Sequence, residues 1–412
     1  MLQNVSPTPS RRSLEFGIYR DGDNNLDLVQ EATLAQALRT SAGDSHVEFT
    51  VEDTTHLRAD ADGIYRGSLH TERYTIADGN LANVRASSAD DMADKTNLAR
   101  FVARTLDNAE ANGAKQTWID LVDHGGGDGG GLQTHDGSAM AMPDIAKAIA
   151  AGVTLHAQEH PEDAGRGVDG VVANQCLMDT MGFADALAHA GVRYLAASPE
   201  TMLAPGVPST VAHAIASHEN DPSAMAKAVT SQVMRTKYGA NEGGGFGPAA
   251  AFDVLDLDPA KIRHAEIAIK QLNDDVGAEA NLPGVRSTLR QDARAIDGMV
   301  RFPQADRTMP WHADRPAIAF YDTVASDGRL DARLRTDARA ASDAVRDLVL
   351  AHRESGDFEP FGGADYSDAA GPTIHLPTTR GQIDSWASAG MSEIDNDFYR
   401  TVDEGTMTEV LA

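Results

Sequence analysis

Apolar runs alternate with amphipathic stretches along the chain, and their lengths switch between the roughly 4–8 residues of a buried strand and the ten or more of a helix. Leu14 to Tyr19 reads as a strand. The polar turn Asp21-Gly22-Asp23-Asn24-Asn25 follows, with side chains suited to capping a helix over Leu28 to Leu38. Val47 to Val51 predicts a second strand, Ile64 to Ile76 a β-hairpin around Gly67 and Ser68, and Asp94 to Asn112 a long helix. Thr117 to Val122 is the clearest strand, and the segment after it, Asp123-His124-Gly125-Gly126-Gly127-Asp128-Gly129-Gly130-Gly131, is so poor in side chains that it reads as a loop. Next come a helix from Pro143 to Ala151, a polar linker from Ala157 to Gly167, a buried strand from Val168 to Ala173, a helix from Met178 to Ala190, a strand from Tyr194 to Ala197 and a proline-broken loop from Pro199 to Pro208.

The remainder is richer in helical spacing, over Val211 to Ser217, Ala224 to Tyr238, Ile262 to Val276 and Ala338 to His352. Short strands are predicted at Ala249 to Val254, Ala317 to Phe320 and Thr373 to Leu376. The pattern is that of an α/β protein with one parallel sheet and crossover helices over residues 1–255, and a mainly helical region, 256–412, that completes or covers the core. No internal repeat of fixed period is visible.

Composition narrows the function classes. With 412 residues, 42% hydrophobic and 24% charged, the chain can bury a large core. Its 35 Lys and Arg face 62 Asp and Glu, and the net charge of −27 argues against sequence-independent binding to nucleic acid or to an anionic membrane. A cationic substrate would be drawn in, although acidity of this kind is commonly a solubility feature. The single cysteine, Cys176, excludes an intramolecular disulfide and a cysteine-based zinc cluster, and leaves one thiol as a nucleophile. Met1 to Arg12 is polar, and no run of 18 apolar residues occurs, so the expectation is a soluble, cytoplasmic protein.

His124 stands at the C-terminal end of one predicted strand and Cys176 just beyond another, the edge at which open α/β sheets place reactive groups. Their separation of 52 positions suffices for a crossover between neighbouring strands. A thiolate is a strong nucleophile and an imidazole can protonate a departing amine. The amide of Gly125, unshielded by a side chain, could join the amide of Cys176 in holding an oxyanion, and a helix starting just past Cys176 would favour the thiolate. Each residue alone fits an ordinary structural role; the conjunction is what points to chemistry.

Other chemistries find less support. His-Gly-Gly-Gly also occurs in the oxyanion loop of lipases, but no serine here has the Gly-x-Ser-x-Gly surroundings that reading requires. Asp21 to Asp27 begins like a calcium loop, yet Leu26 holds the position of the obligatory glycine and Ala32 that of the bidentate acid. His-Glu-x-x-His is absent, and the sequence points to no metal and no cofactor.

Four stretches resemble the clostripain family of cysteine peptidases, relatives of caspases, gingipains, legumain and separase: Tyr19 to Leu26, Leu121 to Gly127, Asn174-Gln175-Cys176-Leu177-Met178, and Tyr194 to Thr201, with a weaker echo at Gly371 to Pro377. The resemblance implies a caspase-like three-layer α/β/α sandwich around a mostly parallel sheet, a dyad of Cys176 and His124, and endopeptidase action on proteins or peptides after Arg or Lys. It also implies activation by cleavage between the dyad members, by the enzyme itself or by an upstream protease; Arg166 in the polar linker is the candidate site. In that family the position two before the cysteine is commonly an aspartate that binds the basic side chain, and here it is Asn174, which lacks the charge for such a bond. Ser198, Glu200 and Thr201 would line the same substrate groove, with Glu200 able to supply the charge. The rival readings are a catalytically silent caspase-like scaffold kept for binding, and a different acyl transfer such as transpeptidation.

Overall fold

The computed structural model describes residues 12–56, 68–237, 247–296, 298, 310–355, 365–388 and 396–412. In chain order, strand β1 (Leu14–Asp21), helix α1 (Asp27–Gly43), strand β2 (Val47–His56) and the hairpin β3 (Leu69–Ala77) and β4 (Asn80–Ser88) precede helix α2 (Lys95–Asn112) and strand β5 (Gln116–Val122). A small hairpin, β6 (Gly131–Gln133) with β7 (Ala139–Met140), opens helix α3 (Met142–Glu159), which returns the chain to strand β8 (Gly170–Asn174). Helix α4 (Met181–His189), strand β9 (Tyr194–Ala197), helices α5 (Val211–Ala216) and α6 (Pro222–Arg235) and strand β10 (Ala251–Asp256) follow. Then come helices α7 (Pro259–Glu279) and α8 (Val285–Ala295), strand β11 (Asp314–Pro316), helices α9 (Ala317–Ser326) and α10 (Ala332–Arg346), and strands β12 (Val349–Glu354) and β13 (Thr373–His375).

Among the described residues, nine strands form one sheet in the order β12-β10-β9-β8-β5-β1-β2-β3-β4. The five central strands, β9 to β2, run parallel, and both flanks are antiparallel, so the sheet is mostly but not wholly parallel as the sequence pattern had it. Alternation along the central strands separates two apolar layers. Trp118, Val122, Phe16, Ile18, Val172 and Ala196 face α1, α5 and α6. Ile119, Leu121, Val171, Ala173 and Leu195 face a larger layer that contains α2, α3, α4 and α7 to α10. Residues on both sides of position 255 thus share one core, and β12 extends the sheet through β10.

Local chemistry explains most element ends. Asp94 caps α2 by accepting from the Thr96 amide at 2.7 Å, and Gly113, at φ 71°, closes it in the left-handed conformation. The expected cap of α1 is not made: Leu26 occupies the N-cap position, and Asn24 instead accepts from the Leu26 amide at 2.8 Å. Strands β3 and β4 turn at Asp78-Gly79; the hairpin expected around Gly67 and Ser68 falls on Ile64, Tyr65 and Gly67, which lie outside the described residues. Ala317 to Phe320, expected as a strand, begins α9, and the end of the expected helix Ala338 to His352 is the edge strand β12. The linker expected at Ala157 to Gly167 is helical to Glu159 and turns again at Pro161–Asp163.

The core holds several acids. Burial pushes Glu15 up to about 8 despite bonds from Thr50 and Asn112, Asp21 up to about 7 and Asp53 up to about 6. These groups keep protons in the folded chain that the unfolded chain releases above its ordinary carboxylate range, so stability falls as pH rises through that interval. The expected result is a Tm that drops by a few degrees between pH 5 and pH 8, read by calorimetry; a Tm that rises over this window contradicts it.

Candidate active site

Val122 and Asn174 are register partners on adjacent parallel strands β5 and β8, so His124 and Cys176, each two residues further on, leave the sheet at the same level. Their junction is tight. The Asp123 amide donates to Asn174 O at 3.4 Å, and the Gln175 side-chain amide donates to His124 O at 3.0 Å. A Cβ placed on Gly125 would sit 2.3 Å from Cys176 O and 3.0 Å from Cys176 N, a space only glycine can share. Gly125 also faces Gly131 in an antiparallel bridge whose bonds run from Leu132 N–H to His124 O and from Gly126 N–H to Gly130 O, which leaves the Gly125 amide outside the pairing.

The block from Arg20 to Asp27 builds the other wall. Arg20, buried, binds Asp53 at 2.6 Å and Asp27 at 3.0 Å, and Asp27 also accepts from Thr55 and from the His56 amide. Asn24 donates to Asp123 at 2.6 Å and to Gln133 O at 2.8 Å, tying this loop to the residue before His124. Asn25 Oδ1 lies 2.8 Å from His124 Nε2. A carbonyl oxygen accepts, so Nε2 carries the proton and Nδ1 is left with its lone pair. Burial lowers the pKa of His124, which favours the neutral imidazole. Asn25 is therefore a positioning residue that the sequence pattern did not single out, although it sits in a polar block at the same sheet edge. Asn25→Ala is expected to lower kcat about tenfold with little change in KM, and Asn25→Asp to restore part of the loss and move the pH profile; equal kinetics in all three would remove Asn25 from the site.

Cys176 is partly exposed, and its sulfur is clasped by Met202, whose amide donates to Sγ at 3.3 Å and whose carbonyl lies 3.7 Å away. Burial pushes the thiol up to about 11, the Glu200 and Asp123 carboxyls add to the rise, and the Met202 amide opposes it. Helix α4 starts only at Met181, where Thr180 caps the Phe183 amide at 3.0 Å. It is too far along the chain to favour the thiolate as the sequence suggested, since a helix terminus acts within about its first turn. Leu177 instead takes a left-handed φ of 66°, turning the chain sharply after the thiol.

Of the expected groove residues, Glu200 acts on the charge of the sulfur, and all four are engaged in hydrogen bonds of their own. Asn174 is buried; its Nδ2 donates to Val207 O at 3.2 Å and its Oδ1 accepts from the Val207 amide at 2.7 Å, so its visible work is to fasten the loop 199–208. Ser198 Oγ donates to Glu200 O and accepts from the Glu200 amide, a turn that holds Leu177 N–H to Glu200 O at 3.2 Å. The Glu200 carboxylate accepts from Thr201 at its amide, 2.7 Å, and at its hydroxyl, 3.1 Å. Arg166 stands apart from this cluster: its guanidinium donates to Ala114 O at 2.9 Å and pairs with Asp163. A groove of about 500 Å³ between α3 and α4 has neither His124 nor Cys176 in its wall.

The mixed α/β architecture with its large, mostly parallel central sheet matches the caspase-like fold of solved C11, or clostripain-like, cysteine proteases. Among solved structures, the chain is similar to an inactive zymogen C11 protease from Parabacteroides distasonis, with a TM-score of 0.63 and 14% identity over 96% of this chain and 99% of that one. It is also similar to a secreted C11 cysteine protease from Bacteroides thetaiotaomicron in complex with an irreversible peptide inhibitor, with a TM-score of 0.64 and 13% identity over 96% and 99%. A further structure of a secreted C11 protease of that organism, iotapain, gives 0.63 and 12% over 95% and 99%. No protein-family model matches the chain, and no curated protein matches its sequence. Among the described residues no helix is long and apolar enough to cross a membrane.

Proposed function

We propose that the chain is a cysteine endopeptidase with Cys176 as nucleophile and His124 as its acid–base partner. The observation that carries this reading is the interlock of Gly125 with the Cys176 backbone, which sets a thiol, an imidazole and two amides at one sheet edge. Sγ attacks the scissile carbonyl, the thiol proton passes to the imidazole at Nδ1, and that nitrogen returns it to the departing amine. The amides of Gly125 and Cys176 hold the oxyanion, and water then releases the acid half from the thioester. The reading needs no metal or cofactor, and its partner is a protein or peptide substrate.

Cleavage after Arg or Lys is the preference we propose, with the charge supplied by Glu200 because Asn174 carries none. Glu200 is buried beside the thiol and the chain is strongly acidic, which supports attraction of a basic side chain. Activation by a cut at Arg166 would require that residue to leave Ala114 and Asp163 first. Two of the similar structures are of secreted proteases, so they lend nothing to the cytoplasmic expectation.

A positional-scanning peptide library run on wild type and Glu200→Gln tests the function and its specificity together. We expect Arg and Lys substrates to be cut by wild type and to lose at least about tenfold in kcat/KM in Glu200→Gln. A wild type that cuts no member supports the silent scaffold instead, and one that cuts after neutral residues removes the basic preference alone.

A further inference from the structure

We propose that the chain binds a divalent transition-metal ion of the zinc type between α2, α3 and the turn at Pro161–Asp163, with His156, Glu110 and Asp163 as ligands. Helices α2 and α3 are held unusually close: a Cβ on Gly152 would lie 2.5 Å from Val102 Cβ and 2.6 Å from Ala99 O. His156 is four residues beyond Gly152 and so projects from the same face of α3, and Asp107 and Glu110, three apart, share a face of α2.

His156 is fully buried. Its Nδ1 lies 2.7 Å from Asp107 Oδ1, a hydrogen-bond distance, whereas its Nε2 has no hydrogen-bond partner among the described residues. The carboxylate facing Nε2, Asp163 Oδ2, is 3.6 Å away. That is too long for a hydrogen bond, but it is close to the roughly 3.4 Å between two ligand atoms of a tetrahedral zinc at its usual bond lengths. One ligand atom from each of Glu110, His156 and Asp163 falls within a common 4.8 Å. With Nδ1–H given to Asp107, the Nε2 lone pair points toward carboxylates, an arrangement that a cation resolves.

The surroundings match how proteins support a metal. Asp107 behind His156 fixes the tautomer and ring orientation that a ligating imidazole needs. His160 stacks on His156 at 5.0 Å, and its Nδ1 lies 2.7 Å from Glu110 Oε2, steadying that carboxylate in turn. An imidazole with two carboxylates suits zinc, cobalt or manganese; calcium and magnesium prefer all-oxygen shells. The cluster is not legible in the sequence, because His156-x-x-x-His160 and Asp107-x-x-Glu110 are separate stretches that only the packing of α2 on α3 brings together. His156, His160 and Asp163 lie within the connection between His124 and Cys176, and Asp163 also holds Arg166, so the metal would tie the segment proposed for activation cleavage to α2. The metal site itself stands independently of the peptidase reading.

The test uses the full chain carrying Cys176→Ala, so that the thiol can neither bind zinc nor cleave. After chelator treatment, calorimetric titration with Zn²⁺ is expected to show one equivalent, unaffected by millimolar Mg²⁺ or Ca²⁺, and Co²⁺ is expected to give the visible bands of a low-coordinate site. Glu110→Gln and Asp163→Asn, both on partly exposed side chains, should each weaken binding at least about tenfold, and Asp107→Asn by about 10–100-fold without removing a ligand. Trypsin cleavage at Arg166 should slow when zinc is bound. No one-equivalent uptake, or uptake unchanged in Glu110→Gln and Asp163→Asn, overturns the proposal.

Discussion

Cys176→Ala is expected to lower peptide hydrolysis by at least about ten-thousandfold while leaving the fold and Tm nearly intact. No other thiol exists to replace the nucleophile, and removing a covalent nucleophile leaves only the modest catalysis of binding and oxyanion contacts. The sulfur lies in a clasp of backbone groups from Met202, not in the centre of an apolar layer, so its loss opens little packing volume. The same surroundings predict the reactivity of the free thiol. With its pKa pushed up to about 11, alkylation by a small uncharged reagent should rise about tenfold per pH unit from pH 7 to pH 10, without a plateau near neutrality. A plateau below pH 8 would show a preformed thiolate–imidazolium pair and contradict the neutral resting dyad. Peptide mapping by mass spectrometry reads the rate at Cys176 directly.

Gly125→Ala is the second large effect expected. Its Cβ would be driven to 2.3 Å from Cys176 O, so the strand ends must separate, moving the imidazole, the thiol and an oxyanion donor together. Loss of a single oxyanion donor costs about 10²–10³ in kcat, and the displacement of His124 adds to it. The predicted result is a kcat reduced by at least about a hundredfold with a smaller change in KM. Gly126→Ala is the control, because a Cβ there meets nothing closer than 3.7 Å; comparable losses in both variants would show that the loop as a whole, and not the Gly125 contact, was damaged.

The central sheet was legible because β5, β8 and β9 are buried on both faces and therefore read as apolar runs bounded by polar turns, interrupted in β5 by the buried Asp120. The same logic failed at Ala317 to Phe320. Helix α9 is buried on most sides, so its first turn shows no amphipathic period, and a short apolar run looks like a strand. At Val349 to His352 the apolar spacing of α10 continues smoothly into β12, and only pairing with β10 distinguishes the two. The Asp78-Gly79 turn, a dipeptide suited to a tight hairpin, joins β3 to β4 and was not picked out in the sequence pattern.

At the site, His124, Gly125 and Cys176 were visible as motifs because glycine and cysteine are informative residue types at strand ends. The contacts of Asn25, Gln175 and Met202 were not, since they join segments far apart in the chain, and that of Met202 uses a backbone amide that any residue could supply. Asn174 illustrates the converse: its motif position suggested a substrate contact, whereas its amide spends both polar atoms on the Val207 backbone.

The most direct measurement is the intact mass and peptide map of the wild type after exposure to a peptide bearing an electrophilic ketone with Arg or Lys at its reactive end. The account predicts a single adduct located on Cys176, formed at least about a hundredfold more slowly in His124→Ala. A chain that stays unlabelled, or that is labelled elsewhere, contradicts it.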